Sequence, residues 1–288
     1  MAVNNTNDFL SNGTTQFANH SSGDPFFECA DFFPGIFLTG FSSFLNVVFI
    51  LPVNCWILWL ARRNVGVLSS DFIILNQSVA EVIGNTSIII FLFSVIINKK
   101  VIILISVYLC CTLIVGRPLF QTVFCVERYL AVVHPLVYLK YMKASRIKMS
   151  FVGLVWLIIL IHGWFVMDSY PRIPTFYVGV FIVMLVVCTS CSVMILWVLK
   201  RPKPGEGNEK EAVYQLKRKA FVAVTVILIT LVFGYGTVSC VIVLRDKVPY
   251  HTYCSVLGLS WCTLLPNTAV QPYLYLSKIG KLPCIKSH

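Results

Sequence analysis

Charge is what this chain has least of. Asp, Glu, Lys and Arg make up 12% of its 288 residues, against 57% hydrophobic, and the mean hydropathy is +0.81. Soluble domains run nearer half apolar and a quarter charged, so water is excluded as the solvent for most of the chain. Short alternating apolar and polar runs are also lacking, which excludes a transmembrane β-barrel. The first residues have neither the basic start nor the apolar run of a cleavable signal peptide, so the first span is expected to act as its own insertion signal. Internal repeats and paired broken spans, on which transporters are built, are missing. No metal-ligand spacing appears among the cysteines, and no cofactor is implied. An integral membrane enzyme would need His, Asp or Ser nucleophiles clustered at one depth; His162 is the single mid-span histidine. The chain is therefore expected not to be an enzyme.

What is present is a set of long apolar runs. A spanning helix needs about 20 mostly apolar residues, and seven segments qualify: Ile36–Leu60, Leu68–Ile97, Val101–Val133, Met149–Met167, Phe176–Leu199, Ala220–Leu244 and Cys254–Leu276. The expected fold is an all-α membrane protein, a seven-transmembrane helix bundle over residues 36–276. Basic residues set its orientation. With the N-terminus outside, 16 of the 23 Lys and Arg fall on inner segments, Lys148 among them, and 5 on outer ones. The C-terminus is then cytosolic. The net charge of +11 becomes mostly a cytoplasmic property, suited to anionic lipid headgroups and no argument for nucleic acid.

Residues 1–35 carry no Lys or Arg and hold three glycosylation sequons, at Asn4, Asn12 and Asn19, as an extracellular glycosylated tail should. Residues 277–288 form a short cytosolic tail, in which Cys284 is either a palmitoylation site or a free thiol. Most of the 11 cysteines lie in spans and read as small buried hydrophobes. Cys29 and Cys254 lie just outside spans on the outer side, where disulfides persist, and a bridge between them would tie the tail to the mouth of the seventh span.

One stretch breaks the apolar pattern. "GRPLF", Gly116 to Phe120, sets an arginine and a proline inside the third span. Counting ~1.5 Å per residue, Arg117 is about 24 Å in from Val133, and Glu81 of the second span about 20 Å in from Leu68. Two ionisable residues of opposite sign thus lie deep in the bundle at comparable depth. Each is expected to face the interior and find a partner there. At the inner end of the same span, Arg128 is costly unless paired, and Glu127 is its adjacent partner.

"CVERYLAVVHPLVY", Cys125 to Tyr138, carries a family resemblance. The acid–Arg–Tyr triplet Glu127–Arg128–Tyr129 and the loop proline Pro135, on seven spans with the N-terminus outside, resemble the rhodopsin-like G-protein-coupled receptors. Asn54, Trp156 and "QPYLY" (Gln271–Tyr275, including Pro272) match the family's landmark positions, with Gln in place of the usual Asn. The resemblance covers the whole bundle. It implies a receptor in the plasma membrane, multi-pass and in contact with membrane lipids, that passes an extracellular ligand signal to heterotrimeric G proteins. Arg128, released in the active state, would line the cavity that receives the G protein.

Matching from Arg128 puts Arg117 at the small polar site of the family's sodium pocket, beside the acidic position held here by Glu81. Asn267 and Gln271 match the other polar positions of that pocket, and Asn54 belongs to the same polar core. The resemblance therefore implies that the guanidinium replaces the sodium ion in a fixed Glu81–Arg117 pair. Other departures are plain. Ile103 stands where the family's common disulfide cysteine would be. Tyr235 takes the sixth span's tryptophan position and Thr237 its proline position, and Gly234 and Gly236 could supply the missing flexibility. Cys110 occupies the position at which amine receptors carry Asp, which argues against a monoamine. Tyr108, Cys110, Trp164, Tyr235 and Trp261 are the ligand-pocket candidates. With Lys99, Lys100, Arg172, Arg245 and Lys247 on the rim they suit an anionic or lipid-like ligand, and solvated rim lysines explain the same charges equally well. The rival reading is a transporter or channel whose ion path is marked by the buried Arg and Glu.

Overall fold

The computed structural model describes residues 33–63, 72–97, 99–142, 145–168, 173–200 and 208–279. Asn4, Asn12, Asn19, Cys29, Arg172 and Cys284 lie outside the described residues. Every regular element among those described is helical.

The chain opens with α1 (Phe33–Leu45) and α2 (Leu51–Arg63), which a π-helical turn over Asn46–Ile50 joins into one rod. Next come α3 (Phe72–Ile97), α4 (Lys100–Cys111), a second π turn at Thr112–Gly116, and α5 (Arg117–Val133). The two π turns share a cause. Each ends two residues before a proline, Pro52 or Pro118, whose ring would strike the carbonyl one turn back in a regular α-helix. A locally widened turn removes that clash without breaking the rod. After a short turn at Pro135–Val137 and a π turn at Tyr138–Met142 follow α6 (Ser145–Asp168), α7 (Ile173–Lys200), α8 (Asn208–Val243), α9 (Tyr250–Thr263) and α10 (Leu265–Ile279).

Among the described residues, six helices are long and apolar enough to cross a membrane: Phe37–Arg63, Phe72–Phe91, Val101–Val133, Ile147–Phe165, Val178–Lys200 and Arg218–Val243. The seventh expected span, Cys254–Leu276, is two consecutive helices of 14 and 15 residues. The rod breaks at Leu264 because Pro266 has no N–H and excludes the carbonyl four residues back. The Leu264 N–H turns to the Trp261 carbonyl at 3.3 Å. The helix then restarts with Pro266 in its first turn, where a missing donor does no harm. By contrast, α8 stays α-helical through Gly234 and Gly236. It starts at Asn208, 12 residues before the expected span at Ala220.

Polar side chains are buried beside the apolar core, and large apolar ones face outward. Glu81, Asn85, Gln121, Asn267 and Gln271 are buried, while Phe44, Phe49, Trp164 and Val183 stand out from the surface. Hydrocarbon accepts apolar side chains and satisfies no polar group, so polar atoms must find partners within the bundle. Small residues permit the tightest contacts. A Cβ added to Gly258 on α9 would lie 2.7 Å from the Gly35 carbonyl oxygen on α1, so the first and seventh rods meet backbone to backbone.

Candidate functional site

The site has two layers and a cluster at the Arg128 end of α5. In the first layer Arg117, the first residue after the second π turn, reaches from α5 to Glu81 on α3. Its Nε meets Oε1 at 2.5 Å and its Nη2 meets Oε2 at 2.8 Å. Both residues are buried, at 5% and 2% exposure. A two-point guanidinium–carboxylate contact is the strong form of this interaction. Asn85, one turn along α3, donates from Nδ2 to the Glu81 carbonyl at 2.8 Å and to Oε2 at 3.4 Å. The Tyr235 side chain interacts with that of Arg117, and its hydroxyl donates to the Leu113 carbonyl at 3.5 Å, inside the π turn. Its ring stacks on Phe181 at 6.2 Å. The expected meeting of Arg117 and Glu81 is what the fold produces. The backbone carbonyl next to the proline turn is served by Tyr235.

The second layer lies four residues further toward the Arg128 end on each helix: Gln77 below Glu81, Gln121 below Arg117 and Gln271 below Asn267. All three glutamines are at most 2% exposed. Gln121 Nε2 donates to Asn267 Oδ1 at 2.9 Å and to its carbonyl at 3.3 Å, and Thr230 of α8 donates to the same Oδ1 at 3.3 Å. Both side-chain polar atoms of Gln77 and of Gln271, and Oε1 of Gln121, have no hydrogen-bond partner among the described residues. Asn267 and Gln271 are thus brought to the polar core as expected. Asn54 is buried, and its amide donates to the Ile50 carbonyl of its own helix at 2.9 Å. Tyr275 and Pro272 are buried near the same end of α10. Trp156 donates from Nε1 to Asn76 Oδ1 at 3.2 Å and meets Phe120 edge to face, fastening α6 to α3 and α5.

The Arg128 end of α5 corrects an expectation. Glu127 is not paired with Arg128. Its carboxylate accepts from Lys148 Nζ on α6 at 2.5 Å and from the Tyr138 hydroxyl at 3.4 Å. Neighbours in a helix point about 100° apart, so an adjacent acid and base do not face each other. Arg128 instead sets its guanidinium 4.7 Å from the centre of the Phe124 ring, a turn back on α5. Tyr129 contacts His134 Nε2 at 3.2 Å. Lys148, counted from the sequence among the inner loop charges, is 4% exposed and belongs to the bundle.

The ligand-pocket candidates do not share one surface. Trp164 is 70% exposed on the outside of the bundle. Tyr108 turns to α6, where its hydroxyl donates to the Leu160 carbonyl at 3.3 Å and its ring covers Gly163. Cys110 is a half-buried free thiol. Trp261 is half-buried between the main core and a smaller cluster around Tyr253 and Leu257. Tyr235 belongs to the Arg117 layer. On the rim, Lys99 and Lys247 are exposed and Arg245 is half-buried. Cys254 is fully buried. No group of three or more His, Cys, Asp or Glu among the described residues could hold a metal ion.

Sequence reasoning missed Gln77, Gln121, Asn85, Thr230 and Lys148. The first three carried a signal, since each is a carboxamide four residues from Glu81 or Arg117, on the same helix face. Lys148 and Thr230 carried none, because their partners lie on other helices. The chain matches no protein-family model and no curated protein sequence.

Proposed function

We propose that this chain is a divergent rhodopsin-like G-protein-coupled receptor, with seven spans, an extracellular N-terminus and a cytosolic C-terminus, working in the plasma membrane. The observation that carries the reading is that Glu81, Arg117 and Asn267, at positions where the resemblance puts the family's polar core, are buried in polar contacts: Glu81 with Arg117 between α3 and α5, and Asn267 of α10 with Gln121 of α5 and Thr230 of α8. In this reading α9 and α10 together form the seventh span. Ligand binding at the outer mouth shifts the helices, and the Arg128 end of α5 receives the G protein. The Arg117 guanidinium occupies the charge position that sodium holds in such receptors, so the core is set by a side chain and not by an ion. Cys29 is the partner we assign to Cys254, Asn4, Asn12 and Asn19 carry glycans, and Cys284 carries palmitate. The ligand is anionic or lipid-like, approaching past Lys99 and Lys247.

The test is guanine-nucleotide exchange on purified heterotrimeric G proteins by the chain in lipid nanodiscs. Faster exchange than with empty discs is the expected result. Solute or ion flux in proteoliposomes without any exchange would instead establish the transporter or channel reading.

A further inference from the structure

A buried carboxylate needs a cation, and removing one partner of such a pair leaves an uncompensated charge. Glu127, at 3% exposure, has two cations in reach by sequence or fold: Arg128 beside it and Lys148 across the α5–α6 contact. The structure gives it to Lys148. Tyr138 reinforces that choice twice, donating its hydroxyl to Glu127 and setting its ring 5.7 Å from the Lys148 ammonium. Arg128 is left with the Phe124 face and with no carboxylate partner among the described residues. A cation held only by a ring face is restrained weakly. A guanidinium held by a buried carboxylate would have to break a charge pair before it could take an acceptor from another molecule.

We propose that Lys148 is a positioning residue for Arg128. By occupying Glu127 it keeps the Arg128 guanidinium available to the carbonyl and carboxylate acceptors of a G-protein segment, and it sets the ligand-independent coupling rate. The proposal rests on the receptor reading above. Without Lys148, Arg128 is the nearest cation to Glu127 along the chain; the two side chains leave the helix about 100° apart, and only their length lets them swing together.

The experiment measures exchange per folded molecule for the wild type, Lys148→Met and Lys148→Arg, and folded yield for Lys148→Glu and the double variant Glu127→Lys/Lys148→Glu. Lys148→Met should reduce ligand-independent exchange by about fivefold or more, within the usual range of coupling between sites, and Lys148→Arg should retain it. A purely structural lysine would change yield and leave exchange per folded molecule alone. The charge swap should recover the yield that Lys148→Glu loses. Equal exchange by wild type and Lys148→Met overturns the positioning role, and failure of the swap to recover yield overturns the pair itself. A wild type that drives no exchange on any G-protein class overturns the receptor reading and the positioning role with it, while the yield of the swap still decides separately whether the pair forms.

Discussion

Arg117 and Glu81 lie 36 residues apart in the chain and meet through two nitrogens and two oxygens in the middle of the bundle. Breaking a buried pair from one side costs ~3–5 kcal/mol. Arg117→Ala and Glu81→Ala should therefore each abolish most folded surface protein, measured by flow cytometry of an N-terminal tag. The double variant Glu81→Leu/Arg117→Met should recover much of it, because neither charge is left alone.

The same pair predicts indifference to sodium. The melting temperature of the purified wild type should be the same in sodium chloride and in choline chloride. Arg117→Ser empties the charge position beside Glu81 and should introduce a sodium-dependent rise. A thermal-shift assay in detergent checks both, and a sodium-dependent wild type would contradict the reading of Arg117 as the resident cation.

Gly258 sits where a methyl group would lie 2.7 Å from the backbone oxygen of Gly35. Backbone cannot rotate aside as a side chain does. Gly258→Ala should destabilise the chain by ~1–3 kcal/mol, the usual range for overpacking, seen as a lower melting temperature. Gly40 and Gly153, with nothing within 4 Å of an added Cβ, should accept alanine with no such loss.

Gln77 is 2% exposed, and neither of its side-chain polar atoms has a partner among the described residues. An unsatisfied buried polar group costs ~1–3 kcal/mol. Gln77→Met keeps the length and removes both atoms, so the melting temperature should rise. A fall would mean that the amide is satisfied in the membrane-embedded protein.

Two of the aromatic ligand-pocket candidates should behave oppositely. Trp164, pointing away from the bundle, should tolerate Ala with a change within about 0.5 kcal/mol, as surface positions do. Tyr235→Phe removes the donor to the Leu113 carbonyl beside the Arg117 layer, and should cost ~1 kcal/mol. Paired thermal denaturation of the two variants decides the order.

The apolar runs, with lengths set by bilayer thickness, made most of the helices readable along the chain, and the deep Arg117 and Glu81 stood out as unlike charges at like depth. The pairing of Glu127 was misread because adjacency in sequence suggests contact, whereas a helix turns neighbours apart. Trp164 was misread because depth along a helix says nothing about which side faces lipid when residues on both faces are apolar. The split of the last span at Leu264 followed from Pro266, a local cause visible in "LLPN".

Composition and spacing alone determined that the chain is helical, that its solvent is hydrocarbon, and that two opposite charges lie deep inside. Those outcomes depend on local hydropathy and on rise per residue, which every stretch carries with it. The tertiary structure decided which charge answers which: Glu81 with Arg117 as their depth suggested, Glu127 with Lys148 against their order in the chain. Partner choice depends on the rotation of each helix about its axis, and that rotation is set by packing against neighbours such as the Gly35–Gly258 contact, which no single segment encodes.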